Sequence, residues 1–257
     1  MAQGQGAAAP RRVSVWMPVA LGVVILGLVV ALVVGRGADG GDGTAAAEPT
    51  SPTSPATPQP ATPSPTADAE PTTVPELARR LEGDVMAVGA VDAPVVLIEY
   101  ADYRCPFCAK FGRETLPTIL EEYVESGEVR VEWRDMPIFG AESELVAVAG
   151  RAAGNQERFW QFQTVVFDAA PESGHPDLPR DVLVELAREA GVADLALFEQ
   201  DLDDPALLAA VRADAAEGQA VGVTSVPAFV VGGTPFLGAQ PIEVFREVIE
   251  SELAAVG

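Results

Sequence analysis

Apolar residues are distributed unevenly along the chain, and the first long run of them carries no charge. This run covers residues 13–35, and a helix of that length, at about 1.5 Å per residue, spans the roughly 30 Å hydrocarbon core of a bilayer. Arg11 and Arg12 precede it, and acidic residues follow soon after Arg36. The positive-inside rule therefore predicts a cytoplasmic N-terminus (residues 1–12), one transmembrane helix and an extracytoplasmic remainder.

A cleaved signal peptide is the alternative interpretation of this run. Its apolar stretch is longer than that of a typical signal peptide, and the A-x-A-like sequence Ala45–Ala47 lies well beyond its end. We therefore expect the segment to remain in place as a signal anchor.

Residues 36–75 are rich in Pro, Thr, Ser and Ala and show no periodic apolar pattern. Closely spaced prolines remove backbone donors, and the small residues between them cannot fill a core. We predict a disordered linker that tethers the rest of the chain to the membrane.

Residues 76–257 carry the patterns of a single α/β domain. Continuous apolarity predicts one strand at 95–100, and alternation predicts another at 129–134. Apolar residues recur at helical spacing between these strands, with Pro117 expected to kink that helix. Helical patterns fill an insertion at about 141–218. A hairpin and an amphipathic helix close the chain, at 228–231, 234–237 and 241–255.

The charge of the chain limits its partners. It has 38 acidic and 16 basic residues, which gives a formal net charge of −22 at pH 7. Nucleic acids and anionic lipid head groups both require clustered Lys and Arg side chains. The composition therefore predicts no nucleic-acid partner, and contact with a membrane only through the apolar helix.

The chain contains two cysteines, Cys105 and Cys108, and one histidine, His175. Two cysteines cannot form a disulfide framework, and a structural zinc site normally needs four Cys or His ligands. A disulfide that closes so short a loop would constrain the unfolded chain very little. We therefore predict no metal and no other cofactor, and a cysteine pair that is redox-active rather than structural.

Cys105 and Cys108 stand where the first predicted strand is followed by a helix. A thiol at a helix N-terminus faces unpaired N–H groups and the positive end of the helix dipole, which stabilise the thiolate and lower the pKa. The two intervening residues, Pro106 and Phe107, bring the sulfurs within disulfide distance. A proline at the first helical position costs no hydrogen bond.

Three features together resemble the DsbA-like branch of the thioredoxin superfamily. They are the sequence around the cysteines (residues 98–108, IEYADYRCPFC), the helical insertion, and residues 222–229 (GVTSVPAF) before the hairpin. The resemblance extends from about Val85 to the C-terminus. It implies a thioredoxin-like fold with a helical insertion, and the activity of an extracytoplasmic thiol–disulfide oxidoreductase.

The resemblance also implies roles for individual residues. Cys105 is expected to be the exposed nucleophile, and Cys108 the buried thiol that resolves mixed disulfides. The Val226–Pro227 peptide bond is expected to be cis and to face the sulfurs. Glu99 is expected to be a buried acid that assists proton transfer to Cys108, the alternative being the exposed end of a strand.

One position departs from the pattern of that family. Its strongly oxidising members often carry a histidine between the proline and the second cysteine, whereas this chain has Phe107, which supplies no charge. Arg104 is a candidate replacement for that cation, and a solvated loop residue is the alternative.

The leading hypothesis is a dithiol oxidase that introduces disulfides into secreted or cell-envelope proteins. The resemblance implies a membrane partner that reoxidises it, either DsbB-like or vitamin K epoxide reductase-like. A reductase or isomerase of the same fold is one alternative, and an anchored chaperone that does not use its thiols is another. The predicted location is the cell membrane, with the C-terminal domain outside the cytoplasm.

Overall fold

The computed structural model describes residues 77–257, and a mixed five-stranded sheet lies at the centre of that region. The predicted N-terminal segment, anchor and linker (1–12, 13–35 and 36–75) lie outside the described residues. Between residues 77 and 257, no helix is both long enough and apolar enough to cross a membrane.

The strands are β1 Ala87–Val88, β2 Val95–Ala101, β3 Val129–Asp135, β4 Ala228–Val231 and β5 Thr234–Leu237. They lie in the order β1-β3-β2-β4-β5. Strands β2 and β3 are parallel, with Val95 opposite Val129 and Ala101 opposite Asp135, and the other neighbouring pairs are antiparallel. All seven residues of β2 are buried, as its continuous apolarity predicts for a strand covered on both faces.

The helices of the described region are α1 Pro106–Glu114, α2 Leu116–Ile119, α3 Ala141–Gly154, α4 Phe159–Ala169, α5 Arg180–Glu189, α6 Leu195–Asp201, α7 Pro205–Ala220 and α8 Ile242–Val256. A single residue, Thr115, separates α1 from α2, and a π-helical turn, Leu120–Val124, follows α2. Pro117 accounts for the interruption, because it has no N–H for the carbonyl of Arg113 and its ring would clash there. The helix is therefore interrupted where the sequence predicted a kink.

Helices α3 to α7 form the predicted insertion. Helix α4 begins only at Phe159, although the helical pattern starts at Gln156, because Glu157 adopts a φ of 61°, outside the helical region. Phe159 packs against Trp133 with ring centroids 5.8 Å apart, and Phe167 packs against Tyr103 at 5.7 Å. The insertion therefore contributes a second apolar core beside the end of β2.

Strand β3 is buried on both faces, which its alternating sequence did not predict. Arg130, Glu132 and Arg134 are at most 3 % exposed. Glu132 accepts hydrogen bonds from both arginine side chains and from the backbone N–H groups of Arg79 and Arg80. The segment before β1 that contains Arg79 and Arg80 therefore covers this face of the sheet. Ion pairs satisfy the charged side chains of β3 that it buries.

Candidate active site

The two cysteines lie just beyond the end of β2, where α1 begins. Cys105 is the N-cap residue of α1: its backbone is extended, with φ −81° and ψ 120°, and its carbonyl accepts the N–H of Ala109 at 3.0 Å. Pro106 occupies the start of the helix, where a missing N–H removes no hydrogen bond. The strand–turn–helix arrangement therefore brings the first N–H groups of the helix to the Cys105 sulfur.

Donors at the start of α1 favour the thiolate of Cys105. The thiol of Cys108 contributes most, and the backbone N–H groups of Cys108 and Phe107 add to it, although none of these N–H groups forms a cap hydrogen bond of regular geometry with the sulfur. Burial and the nearby Asp102 carboxylate oppose these donors, and the net result lowers the pKa of Cys105 to about 7. Cys105 therefore forms its thiolate at neutral pH more readily than an ordinary cysteine, whose pKa is about 8.5.

Cys108 has the opposite environment. It is 0 % exposed, and burial raises its pKa. Its hydrogen bond to Cys105 and repulsion from the negative charge of Cys105 raise the pKa further, and Glu99 adds to the shift when it is ionised. The pair therefore consists of one thiol that ionises near neutral pH and one that stays protonated.

The expectation of an exposed Cys105 is wrong, because the residue is only 3 % exposed. Its Sγ lies 3.5 Å from the carbonyl oxygen of Val226, in the segment that precedes β4. At the N-cap position the sulfur lies under that segment, and the exposed side chain of the motif is instead Phe107, at 61 %.

The Val226–Pro227 peptide bond is cis, as the resemblance implies. Pro227 is buried, and its carbonyl accepts the N–H of Gly238 at 2.8 Å. Because proline has no N–H, the segment presents the carbonyl of Val226 to Cys105 and no donor from Pro227. The catalytic role of Pro227 and the supporting role of Val226 stay predictions.

Glu99 is 0 % exposed, so it does not mark the exposed end of a strand. Its neighbours in register on the adjoining strands are Trp133 and Phe229, and neither carboxylate oxygen has a hydrogen-bond partner. Burial raises the pKa of Glu99 well above its ordinary value, and repulsion from Cys105 adds to the shift. The structure therefore brings to the cysteine pair a carboxyl group whose burial favours the protonated form.

Arg104 does not replace the missing cation of the motif. Its guanidinium pairs with Glu142 at 2.6 Å and donates to the carbonyl of Pro176 at 2.9 Å, and its side chain is only 11 % exposed. It is thus neither a solvated loop residue nor one of the groups that lower the pKa of Cys105.

Asp102 is a site residue that the sequence reasoning missed. Its carboxylate is buried and accepts the N–H of Arg104 at 2.8 Å and that of Ile138 at 2.9 Å. Burial raises its pKa above the ordinary value. An aspartate two residues before the bonded N–H is the signal of an Asx turn, and that signal could have identified it.

Within residues 77–257, no group of three or more His, Cys, Asp or Glu side chains is arranged to hold a metal ion.

The chain is similar in sequence to known proteins. A family model described as Thioredoxin matches residues 82–251. The chain is 28 % identical over 170 residues to the probable disulfide bond formation protein D of Bacillus anthracis, and the match covers 65 % of this chain and 77 % of that protein.

Two solved structures have the same fold. Oxidised BdbD from Bacillus subtilis superposes with a TM-score of 0.62 at 24 % identity, covering 67 % of this chain and 94 % of that one. The α-DsbA1 of Wolbachia pipientis superposes with a TM-score of 0.57 at 22 % identity, covering 66 % of this chain and 92 % of that one.

Proposed function

The chain belongs to the thioredoxin family, within its DsbA-like group of thiol–disulfide oxidoreductases, and from this membership we propose that it acts as a dithiol oxidase. Its substrates are thiols of secreted or cell-envelope proteins. The observation that carries the proposal is the asymmetry of the pair, in which the pKa of Cys105 is about 7 and that of Cys108 is raised. A thiol of low pKa is a good leaving group, so a mixed disulfide through Cys105 passes readily to a client.

The proposed reaction starts from a disulfide between Cys105 and Cys108. A client thiolate attacks the Cys105 sulfur, the S–S bond breaks, and Cys108 leaves with the electron pair and takes up a proton. A second client thiolate then attacks the client sulfur of the mixed disulfide, and Cys105 leaves as a thiolate. The client gains one disulfide, and the enzyme gains two electrons as a dithiol.

Glu99 is the proposed proton donor for Cys108. Its raised pKa keeps the carboxyl group protonated when Cys108 leaves, and it lies close enough to contribute to the raised pKa of that thiol. Val226 and Pro227 are the proposed cover over the mixed disulfide, and exposed Phe107 is the proposed contact with the client.

Turnover requires an acceptor for the two electrons of the dithiol. The proposed acceptor is a membrane enzyme that passes electrons to a quinone, either DsbB-like or vitamin K epoxide reductase-like. The apolar run at 13–35 would anchor the chain in the cell membrane, and the linker at 36–75 would hold the domain on the outer side, within reach of that partner.

A second candidate, a reductase or isomerase, is favoured by the size of the shift at Cys105. A pKa of about 7 is a modest depression, closer to that of thioredoxin than to that of the strongly oxidising DsbA. Phe107 adds no cation to deepen it. In this alternative a membrane protein would supply electrons to the pair rather than remove them.

The reduction potential separates the two candidates. We expect equilibration of the dithiol with a glutathione redox series to give a potential above about −200 mV, the range of oxidising members. A potential below about −250 mV would overturn the oxidase and favour the reductase. A Cys105→Ser allele that still complements a deletion strain would instead favour a chaperone that does not use its thiols.

Thermal unfolding provides a second measure of redox direction. The folded pKa of Cys105, about 7, lies below the ordinary thiol value of about 8.5, so the reduced protein gains stability as pH rises above 7 and loses it as pH falls through 7. At pH 8 the gain is on the order of 1 kcal/mol. We expect the reduced form to melt higher than the disulfide form at pH 8, and the difference to shrink at pH 6.

A further inference from the structure

Both backbone polar groups of Arg104, the residue before Cys105, form hydrogen bonds. Its N–H donates to Asp102 at 2.8 Å, and its carbonyl oxygen lies 2.9 Å from Nδ1 of His175. A carbonyl oxygen only accepts hydrogen bonds, so Nδ1 of His175 carries the proton. The peptide units that lead into Cys105 are therefore held by the segment between α4 and α5 as well as by their own turn.

The side chain of Arg104 makes a second set of contacts with the insertion. Its Nε donates to the carbonyl of Pro176, next to His175 in the sequence, and its Nη2 pairs with Glu142 in the first turn of α3. The ring of His175 lies on Phe139, with centroids 3.9 Å apart. Glu142 and the adjacent residues His175 and Pro176 come from separate parts of the chain, and all three contact Arg104 in the active-site turn.

We propose that Arg104 and His175 are positioning residues, which hold the turn so that the N–H groups at the start of α1 stay aimed at the Cys105 sulfur. Hydrogen bonds weaken steeply when donor and acceptor lose alignment, so stabilisation of a thiolate by N–H groups depends on a fixed backbone at the N-cap. Cys105 itself has no side-chain cap bond to fix the start of the helix. The contacts of Arg104 and His175 perform that task from outside the helix.

This inference rests on the proposed role of Cys105 as the sulfur that a client thiolate attacks and that later leaves as a thiolate. It differs from an electrostatic role for Arg104, because the charge of its guanidinium is paired with Glu142. The positioning role needs the planar fork of arginine, which contacts Pro176 and Glu142 at once, whereas an electrostatic role needs only a positive charge. Lysine at position 104 keeps the charge and loses the fork, so Arg104→Lys separates the two roles.

The test is the pH dependence of iodoacetamide alkylation at Cys105 in the reduced full-length protein, read by mass spectrometry. We expect Arg104→Lys and Arg104→Gln alike to raise the pKa of Cys105 by about one unit, which slows alkylation at pH 7 about fivefold. We expect His175→Ala to slow it about twofold. Arg180→Gln is the matched control, because this arginine pairs with Asp203 at the surface of the same insertion, and it should leave the profile unchanged.

Two results would overturn the proposal. A wild-type profile in Arg104→Lys together with a shifted one in Arg104→Gln would mean that the charge acts and the fork does not. Wild-type profiles in Arg104→Gln and His175→Ala would mean that neither residue positions the thiol. If the Arg104 variants do not fold, His175→Ala alone decides, because His175 is exposed and its removal opens no core.

The double variant Arg104→Gln/His175→Ala adds a further check. Both residues hold the same peptide, so we expect their combined effect on the pKa to be smaller than the sum of the single effects, and full additivity would contradict a shared role. Alkylation uses neither a client nor an oxidant. Its outcome is therefore readable even if the reduction potential shows that the protein is not an oxidase.

Discussion

Glu132 and Glu99 lie on neighbouring strands, β3 and β2, and neither has any exposed surface. Their side chains point to opposite faces of the sheet, because Glu99 is in register with Trp133 rather than with Glu132. Glu132 accepts four hydrogen bonds, two from arginine side chains and two from backbone N–H groups. Glu99 lies between Trp133 and Phe229 and accepts none.

The two environments shift the pKa of a glutamate side chain in opposite directions. Burial raises the pKa of both carboxyl groups, but at Glu132 the ion pair with Arg134 and the N–H donors of Arg79 and Arg80 prevail and lower it. At Glu99 nothing opposes burial, and the pKa rises. A buried carboxylate with every partner in place supports the fold. A buried carboxyl group without partners destabilises the fold, and its raised pKa makes it available for proton transfer.

Glu132→Met should produce the largest effect, because it leaves Arg130 buried without a carboxylate and Arg134 with only Glu217. Breaking a buried ion pair by removing one partner costs about 3–5 kcal/mol, so we expect a loss of that size in the free energy of unfolding, measured by urea denaturation at pH 7. The same substitution at Glu121, which is exposed, is the control and should have little effect. A loss below about 1 kcal/mol would mean that the cluster is not held by this carboxylate.

The deficit of Glu132→Met should also depend on pH. A carboxyl group whose folded pKa is lowered contributes stability that is present above the unfolded value, about 4.3, and is lost as pH falls through the folded pKa. The difference between the variant and the wild type should therefore shrink when unfolding is measured below pH 4.

Glu99→Met should have the opposite sign. The substitution removes two buried oxygens without partners, and we expect a gain of about 1–3 kcal/mol in the free energy of unfolding. Because the folded pKa is raised, the wild type loses stability as pH rises from about 4.3 through the folded pKa, so the advantage of the variant should grow with pH. A variant that is less stable than the wild type at pH 8 would show that Glu99 has a partner after all.

Glu99→Met should slow client oxidation although it stabilises the fold. Loss of a positioned proton donor typically slows a proton-transfer step by two orders of magnitude or more, so we expect client oxidation by Glu99→Met to be at least roughly tenfold slower. Glu132→Met, measured under conditions where it is folded, should keep the pKa of Cys105 near 7. This pair of results would separate the glutamate used for chemistry from the one used for structure.

The contrast between the two glutamates also marks how far sequence reasoning reaches. The strand before Cys105 and the hairpin at Ala228–Val231 follow from local patterns, and the structure has them where the sequence predicted. The burial of Glu132 does not, because its covering segment lies about 50 residues earlier in the chain. The cover over Cys105 comes from Val226, 121 residues later. Such contacts depend on how the elements pack, which local periodicity does not encode.

Tyr103→Phe extends the comparison of the two glutamates to a single buried hydroxyl without a hydrogen-bond partner. Tyr103 is 1 % exposed and its hydroxyl has no partner, while burial raises its pKa. Helix α3 makes room for that hydroxyl with Gly150, where a side chain would overlap it. Removing the oxygen should raise the free energy of unfolding by about 1 kcal/mol. We also expect Gly150→Ala to cost less stability in Tyr103→Phe than in the wild type, and a destabilised Tyr103→Phe would contradict the unpaired assignment.

Arg212→Gln should have the smallest effect on stability. It tests whether burial or pairing geometry determines how much an ion pair contributes to stability. Arg212 joins α7 to Glu144 of α3 through two hydrogen bonds of 2.8 and 2.9 Å, a geometry as good as that around Glu132, but its side chain is 60 % exposed. Water and salt screen such a pair, so its geometry should contribute little. We expect a smaller shift in the urea midpoint than Tyr103→Phe gives, and a shift that disappears in 1 M salt. A loss comparable to that of Glu132→Met would mean that pairing alone accounts for the stability of the cluster beneath β3, and that its burial is incidental.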